Sequence, residues 1–224
     1  MCVTSIDHRR PDLPDANTCR PLRAIVLAGG ASRRLGVDKP EQRVGGRRLL
    51  DVALAAVADA DAVVVVGPPR DVPVDVTVTR EDPPGSGPVA ALAAGLAALP
   101  DGPADIAVLA ADLPRITAAA VTALTAARAL ASAPAAVAVD DTGRLQYLAA
   151  VWDSGALAAA LATGVSRVRD LLPGDVVTSA VGDVADVDTP DQLAAARADA
   201  RGTPGFSRRT LTSQERNLEC EHAR

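Results

Sequence analysis

Residues 27–40 read LAGGASRRLGVDKP, which gathers glycines at positions 29, 30 and 36, arginines at 33 and 34, and then Asp38-Lys39-Pro40. The stretch follows directly on the apolar run Ala24-Ile25-Val26-Leu27. Glycine lets backbone approach a ligand closely and present N–H groups as an anion-binding concavity. A guanidinium grips phosphate oxygens in pairs, and an ammonium adds a point charge. Together these make a cradle for a triphosphate, although Gly29 and Gly30 could also simply end a strand. The loop fits neither standard phosphate fingerprint. The dinucleotide pattern Gly-x-Gly-x-x-Gly fails on the glycine positions, and the P-loop fails because five residues separate Gly30 from Gly36 and Val37-Asp38 precede the lysine.

Three more polar loops follow apolar runs. REDPPGSGP follows the run ending at Thr79, ADLP places Asp112 just past Ile106 to Ala111, and DVDTP follows a short run ending at Val187. Asp112 has two readings, metal ligand or helix cap. Thr189-Pro190 has the form of a helix start, so Asp188 is open to the same choice, and Asp186 competes with it for any ligand role.

These loops need a scaffold that brings them to one edge. Short β-branched runs (RAIVLA, DAVVVVG, VDVTVTR, DIAVLAAD, AAVAV) alternate with Ala/Leu-rich stretches (RLLDVALAAVADA, GPVAALAAGLAAL, ITAAAVTALTAARALA, TPDQLAAARADA). Strand alternating with helix predicts an α/β fold: three layers, a mostly parallel doubly wound sheet with helices on both faces. Ligands of such a sheet bind beyond the carboxyl ends of its strands, where all four polar loops are then expected. No internal repeat is visible.

Length and composition bound the rest. The chain has 224 residues, 48% hydrophobic and 23% charged, enough for one well-buried core, and the 1% aromatic content leaves Ala, Val and Leu to fill it. A single domain over 22–200 is expected, with Pro-bearing and polar stretches 1–21 and 201–224 as disordered tails. No apolar run has membrane-spanning length and the N-terminus lacks a secretory pattern, so a soluble cytoplasmic protein is expected. A net charge of -5 argues against a broad nucleic-acid surface. Cys2, Cys19 and Cys220 lie near the ends without metal or disulfide spacing, and His8 and His222 lie in the tails. Tyr147 and Trp152, in QYLAAVW, point to opposite sheet faces. Either Tyr147 or Trp152 faces a ligand while the other is core, or both are core.

The opening loop resembles the signature of the molybdenum cofactor guanylyltransferases, Leu-Ala-Gly-Gly-x-Ser-x-Arg-Met-Gly-x-Asp-Lys. Leu27, Ala28, Gly29, Gly30, Ser32, Arg34, Gly36, Asp38 and Lys39 match it, and Leu35 replaces Met. The family's later motifs follow in order over 22–197: Asp82 before Pro84-Gly85-Ser86-Gly87-Pro88, Asp112 before Leu-Pro, and Asp188 before Thr-Pro. Two departures are Gly67, where some relatives have Asn, and Gln146, where His is often found.

The resemblance implies a Rossmann-like nucleotidyltransferase that moves GMP from GTP to molybdopterin and releases pyrophosphate. Leu27, Ala28, Gly29, Gly30, Asp82 and Gly87 would line the nucleotide, Lys39 would contact phosphates, Asp112 would be the principal Mg2+ ligand, and Asp188 the second. In-line attack of one phosphate on another needs charge neutralisation and positioning, not a covalent nucleophile. Arg34 and Lys39 can stabilise charge on the departing pyrophosphate, while Arg33 faces solvent. The expected partners are GTP and molybdopterin, with no nucleic acid or membrane, and a monomer or weak homo-oligomer. The alternatives are a cytidylyl or sugar-phosphate nucleotidyltransferase of the same fold, or a non-catalytic GTP-binding protein. Ala28-Gly29-Gly30, where cytidylyl relatives tend to read Ala-Ala-Gly, favours guanine.

Overall fold

The computed structural model describes residues 20–29 and 37–202, and every structural statement below concerns these. Gly30, Ser32, Arg33, Arg34, Leu35 and Gly36, and all but the innermost residues of the two expected tails, lie outside them.

A near-continuous apolar run forms a strand wherever helices cover both of its faces. Strand β1 (Leu22–Leu27) and strand β6 (Asp105–Ala110) are such strands. In β1, Ala24 and Val26 point to one core layer and Ile25 and Leu27 to the other, as period two requires. Between β1 and β6 come β2 (Arg43–Val44), β3 (Arg47–Arg48), α1 (Leu49–Ala56), β4 (Ala62–Val66), β5 (Val76–Thr79) and α2 (Pro88–Ala98). After β6 come α3 (Ala118–Ala131), β7 (Ala135–Val139), β8 (Leu145–Asp153), α4 (Ser154–Ala162), β9 (Val177–Ala180) and α5 (Pro190–Gly202).

The main sheet has seven strands in the order β5-β4-β1-β6-β8-β7-β9, all parallel except β8, which runs against both β6 and β7. The expected mostly parallel, helix-covered sheet is therefore present, with one antiparallel strand. Residues of α1 and α3 pack on one face with Val26, Val65 and Leu109. Residues of α2 and α4 pack on the other with Ile25, Ile106 and Trp152.

Strands β2 and β3 form a hairpin outside the sheet. Gly45 (φ 58°) and Gly46 (φ 80°) make its turn, where both central residues need positive φ. This hairpin contributes Val44 to a small third cluster in which Leu193 and Ala196 of α5 pack on Leu49 and Val187. That cluster fixes the end of the DVDTP loop.

At the amino edge of the sheet the chain is already engaged before β1. Asp105 N–H donates to the Pro21 carbonyl at 2.9 Å, and Arg20 pairs with Asp153 and, at 3.3 Å, with Asp105. Asp105 also pairs with buried Arg128 at 2.7 Å. This charged cluster lies at the sheet end opposite the ligand edge. Among the described residues, no helix is long and apolar enough to cross a membrane.

Candidate active site

The carboxyl edge holds a cleft of about 570 Å³. Leu27, Gly29 and Lys39 of the opening segment line it, with Gly85 and Gly87 of the second loop, Asp112 after β6 and Asp186 before α5. All four loops singled out in the sequence thus meet at one place. A fifth segment joins them: Arg144, Leu145, Gln146, Tyr147 and Leu148 of the β7–β8 hairpin form another wall.

Lys39 binds the loops together. Its Nζ lies 3.3 Å from Asp112 Oδ2 and 2.5 Å from Asp188 Oδ1, with only 15% of the lysine side chain exposed. Burial works to lower the Lys39 pKa, but the hydrogen bond to Asp188 and the charges of both carboxylates outweigh it and hold the ammonium above its ordinary value. The Asp112 pKa is raised as well, which for a carboxyl group favours the neutral form. Burial raises its pKa, Lys39 only partly offsets this, and the like charges of Asp186 and Asp188 add to the rise.

The helix-cap readings are resolved by the hydrogen bonds. Thr117, not Asp112, caps α3, its Oγ1 accepting the Ala120 N–H at 3.2 Å. At α5 the Thr189 hydroxyl accepts the Gln192 N–H at 3.2 Å, and Gln192 Oε1 accepts the N–H groups of Asp188 and Thr189 at 2.8 and 2.9 Å. This capping box satisfies the helix start and releases the Asp188 carboxylate to Lys39. Asp186 lines the cleft beside them, while Asp188 is the residue in contact with the ammonium.

Main-chain groups of the opening segment are largely committed to the sheet. The Leu27 carbonyl accepts from Ala111 N–H at 2.9 Å, and Ala28 N–H donates to the Val66 carbonyl at 2.8 Å. Ala28 is buried and does not line the cleft, whereas Leu27 and Gly29 do. Asp82 is exposed and does not line the cleft, whereas its neighbour Glu81, 9% exposed, does. Gly87 stands where expected, as the residue before α2. Gly30 and Arg34 lie outside the described residues.

Sequence reasoning missed Arg70. Its side chain is 4% exposed; Nη1 lies 2.8 Å from Asp38 Oδ2 and 3.1 Å from Glu41 Oε1. Its Nη2 donates to Asp38 Oδ1 at 2.9 Å and to the Ala28 carbonyl at 2.7 Å. Arg70 therefore joins the residues on either side of the opening loop, and the Asp of the signature serves this guanidinium. The available signal was position: Arg70 is the first cation after the carboxyl end of β4.

Gly67 has a physical explanation too. A Cβ there would lie 2.8 Å from the carbonyl carbon and oxygen of Ala28 and 2.9 Å from Gly29 N, so the absent side chain is what lets the two loops touch. The Gln146 amide donates to Asp140 Oδ2 at 3.0 Å, within the hairpin turn. The register of β7 and β8 shifts between Val137 and Ala138, so residues 147–149 have no partner on β7, although Ala149 still pairs with Leu109 of β6. Tyr147 lines the cleft there, while Trp152 is 2% exposed in the core.

Two half-buried carboxylates converging on one positive charge also form a donor set suited to a small divalent cation, which takes one or two protein carboxylates and leaves its other positions to phosphate oxygens and water. The arrangement is that of a site for moving a phosphoryl-linked group.

Comparison with known proteins decides the lineage. Residues 24–174 match the family model described as "MobA-like NTP transferase domain". The chain belongs to this family. It is accordingly a nucleotidyltransferase. A MobA-like relative from Mycobacterium tuberculosis, named "Probable molybdenum cofactor guanylyltransferase", is 36% identical over 138 residues, spanning 59% of this chain and 68% of the relative. Two solved structures share the fold. One is the molybdopterin-guanine dinucleotide biosynthesis protein A of Archaeoglobus fulgidus, with TM-score 0.63 and 21% identity over 81% of this chain and 100% of the other. The other is the 2-C-methyl-D-erythritol 4-phosphate cytidylyltransferase of Thermus thermophilus, with TM-score 0.58 and 21% identity over 81% and 99%.

Proposed function

We propose that this MobA-like nucleotidyltransferase is a cytoplasmic enzyme that transfers GMP from GTP to the terminal phosphate of molybdopterin. The observation that carries the reading is Lys39 held between Asp112 and Asp188 in a cleft walled by the opening segment and the Gly85–Gly87 loop. The names of its relatives supply the acceptor.

An oxygen of the acceptor phosphate attacks the α-phosphorus of GTP. A new P–O–P link forms as the bond from the α-phosphorus to the bridging oxygen breaks, and pyrophosphate leaves with that oxygen and its electron pair. Asp112 and Asp188 would hold Mg2+, which when bound neutralises phosphate charge. Gly29 lets the backbone approach the triphosphate, Lys39 stabilises the negative charge that grows on the leaving group, and Arg34 is assigned the same duty. Arg144 and Tyr147, which line the cleft on the β7–β8 hairpin, would receive the acceptor, the Arg144 guanidinium being suited to its phosphate.

Pyrophosphate release from GTP, CTP, ATP and UTP, with magnesium and with or without molybdopterin, tests the proposal. Release from GTP that depends on molybdopterin is expected. Preference for CTP, activity with a sugar phosphate, or absence of turnover with every pair would each overturn it.

A further inference from the structure

Lys39 is the only lysine in the chain, and it begins a single 3-10 turn, Lys39–Glu41, of which Pro40 alone is buried. One turn of helix fixes more dihedrals than its hydrogen bonds repay. The bonds here are Glu41 N–H to the Asp38 carbonyl at 3.3 Å and Gln42 N–H to the Lys39 carbonyl at 2.9 Å. Asp38 gives the turn no side-chain cap, its carboxylate being held by Arg70. Pro40 lines the cleft, and a pivot about it would swing the lysine stem off Asp112 and Asp188.

Glu41 closes the far end of the turn. Each of its carboxylate oxygens meets a different guanidinium: Oε1 lies 3.1 Å from Arg70 Nη1, and Oε2 lies 3.3 Å from Arg48 Nη1. The two arginines come from separate elements. Arg48 stands just before α1, where Asp51 holds it at 2.7 Å and it donates to the Asp71 carbonyl at 2.9 Å. Arg70 follows β4 and is fixed on Asp38 and the Ala28 carbonyl. Charges therefore alternate in one row, Asp51, Arg48, Glu41, Arg70, Asp38, from the start of α1 to the opening segment. Glu41 is the member that joins its two halves. The arginine side chains are only 17% and 4% exposed, so the row is screened less than a pair on the open surface.

We propose that Glu41 is a positioning residue for the transfer reaction: held by Arg48 and Arg70 together, its carboxylate fixes the Lys39 turn so that the ammonium falls on both Asp112 and Asp188. The inference rests on the role given to Lys39 above. Its effect is opposite in sign to that of charge alone. Glu41 adjoins cleft-lining Pro40, so loss of its negative charge would by electrostatics favour a bound polyanion. Loss of position slows the reaction instead, because a misplacement of about 1 Å costs up to about 100-fold in rate.

Glu41→Gln in the full chain keeps the shape of the side chain and removes its charge. With isotopically labelled lysine, Lys39 gives the single side-chain ammonium signal in a nuclear magnetic resonance spectrum, read without substrate. That signal should shift in Glu41→Gln and exchange faster with water. In single turnovers with GTP, magnesium and molybdopterin, transfer should slow about 10- to 100-fold while GTP affinity changes little. An unmoved Lys39 signal overturns the inference, and so does a rate equal to or above the parent's. A loss carried wholly by GTP affinity would place Glu41 in nucleotide binding and overturn it too. If the wild-type chain does not turn over this pair of substrates, the guanylyl reading fails and the ammonium signal still decides the role of Glu41. If Glu41→Gln does not fold, Arg48→Lys, which keeps the charge and loses the fork, decides by the same signal. The signal should move there as well, and an unmoved one overturns the inference.

Discussion

Arg70 and Asp38 meet in a two-pronged ion pair, with Nη1 2.8 Å from Oδ2 and Nη2 2.9 Å from Oδ1, and the same guanidinium holds the Ala28 carbonyl at 2.7 Å. Gly29 and Lys39, the residues proposed to bind phosphate, flank this link on either side, so the pair sets the gap that the opening loop must bridge. The hydrogen bond to Asp38 raises the Arg70 pKa further despite burial, so the charge is permanent. Arg70→Lys keeps that charge and loses the planar fork. The expected loss is about 1.5–3 kcal/mol in chemical denaturation, the value of a hydrogen bond to a charged group. A larger fall in turnover than in GTP affinity is expected with it. A variant as stable and active as the parent would show that Lys39 and Gly29 hold their places without the clamp.

Gly67 makes the complementary prediction, since it is contact and not charge that matters there. Its missing Cβ leaves room for the Ala28–Gly29 peptide, and the atoms in the way are backbone, which cannot rotate aside. Gly67→Ala should cost about 1–3 kcal/mol, as overpacking does, and should slow pyrophosphate release by displacing Gly29. Gly67→Asn, which installs the residue of some relatives, should be no better than Gly67→Ala. Thermal melting with turnover for both variants is the measurement, and a gain of activity in Gly67→Asn would refute the steric account.

Much of this was legible in the sequence because parallel strands buried on both faces, such as β1 and β6, read as continuous apolar runs, and because the polar residues that follow them collect at one edge. Lys39, Asp112 and Asp188 follow from that rule. The antiparallel direction of strand β8 and the existence of helix α4 are not legible, since QYLAAVW carries no mark of chain direction and SGALAAALA has little polar face to set its period. The choice of Glu81 over Asp82 depends on how the chain turns after β5. The Asp38 partner lies 32 residues away, and pairing at that distance leaves no trace in local spacing.

The β7–β8 turn carries a pH dependence that can be worked out in sign. The Asp140 carboxylate accepts from the Thr142 hydroxyl at 2.6 Å, the Thr142 and Arg144 N–H groups at 3.0 and 2.9 Å, and the Gln146 amide at 3.0 Å. The Thr142 hydroxyl is the largest cause that lowers its pKa to about 2 from the usual 3.8. A depressed carboxylate contributes stability above its unfolded value and loses it as pH falls through the folded one. The hairpin should therefore hold its order near pH 4 and lose this support towards pH 2, as followed by amide exchange of 140–146. At neutral pH, Asp140→Ala should raise the KM for the acceptor and leave GTP affinity unchanged, because the turn presents Arg144 and Gln146. If GTP affinity fell instead, that wall would belong to the nucleotide.

Lys39, Asp112 and Asp188 act as one unit, so their single variants should not add. Asp112→Asn removes the carboxylate nearest the strand end and with it a proposed metal ligand, and should abolish most turnover while the fold stays intact. Asp188→Asn should have an equal or smaller effect, since its side chain is more exposed, at 46% against 22% for Asp112. Lys39→Ala removes the ammonium that Asp112 and Asp188 share beside Asp186. It should cost about 2–4 kcal/mol of transition-state stabilisation, the range for a lost preorganised donor, and show as a slower single turnover with a smaller change in GTP binding. Because removal of the ammonium also relieves the competition for the two carboxylates, Lys39→Ala should bind magnesium more tightly than the parent in the absence of nucleotide. Titration of magnesium into both proteins checks that expectation. Weaker magnesium binding in Lys39→Ala would mean that the lysine organises the carboxylates for the metal and does not occupy its place.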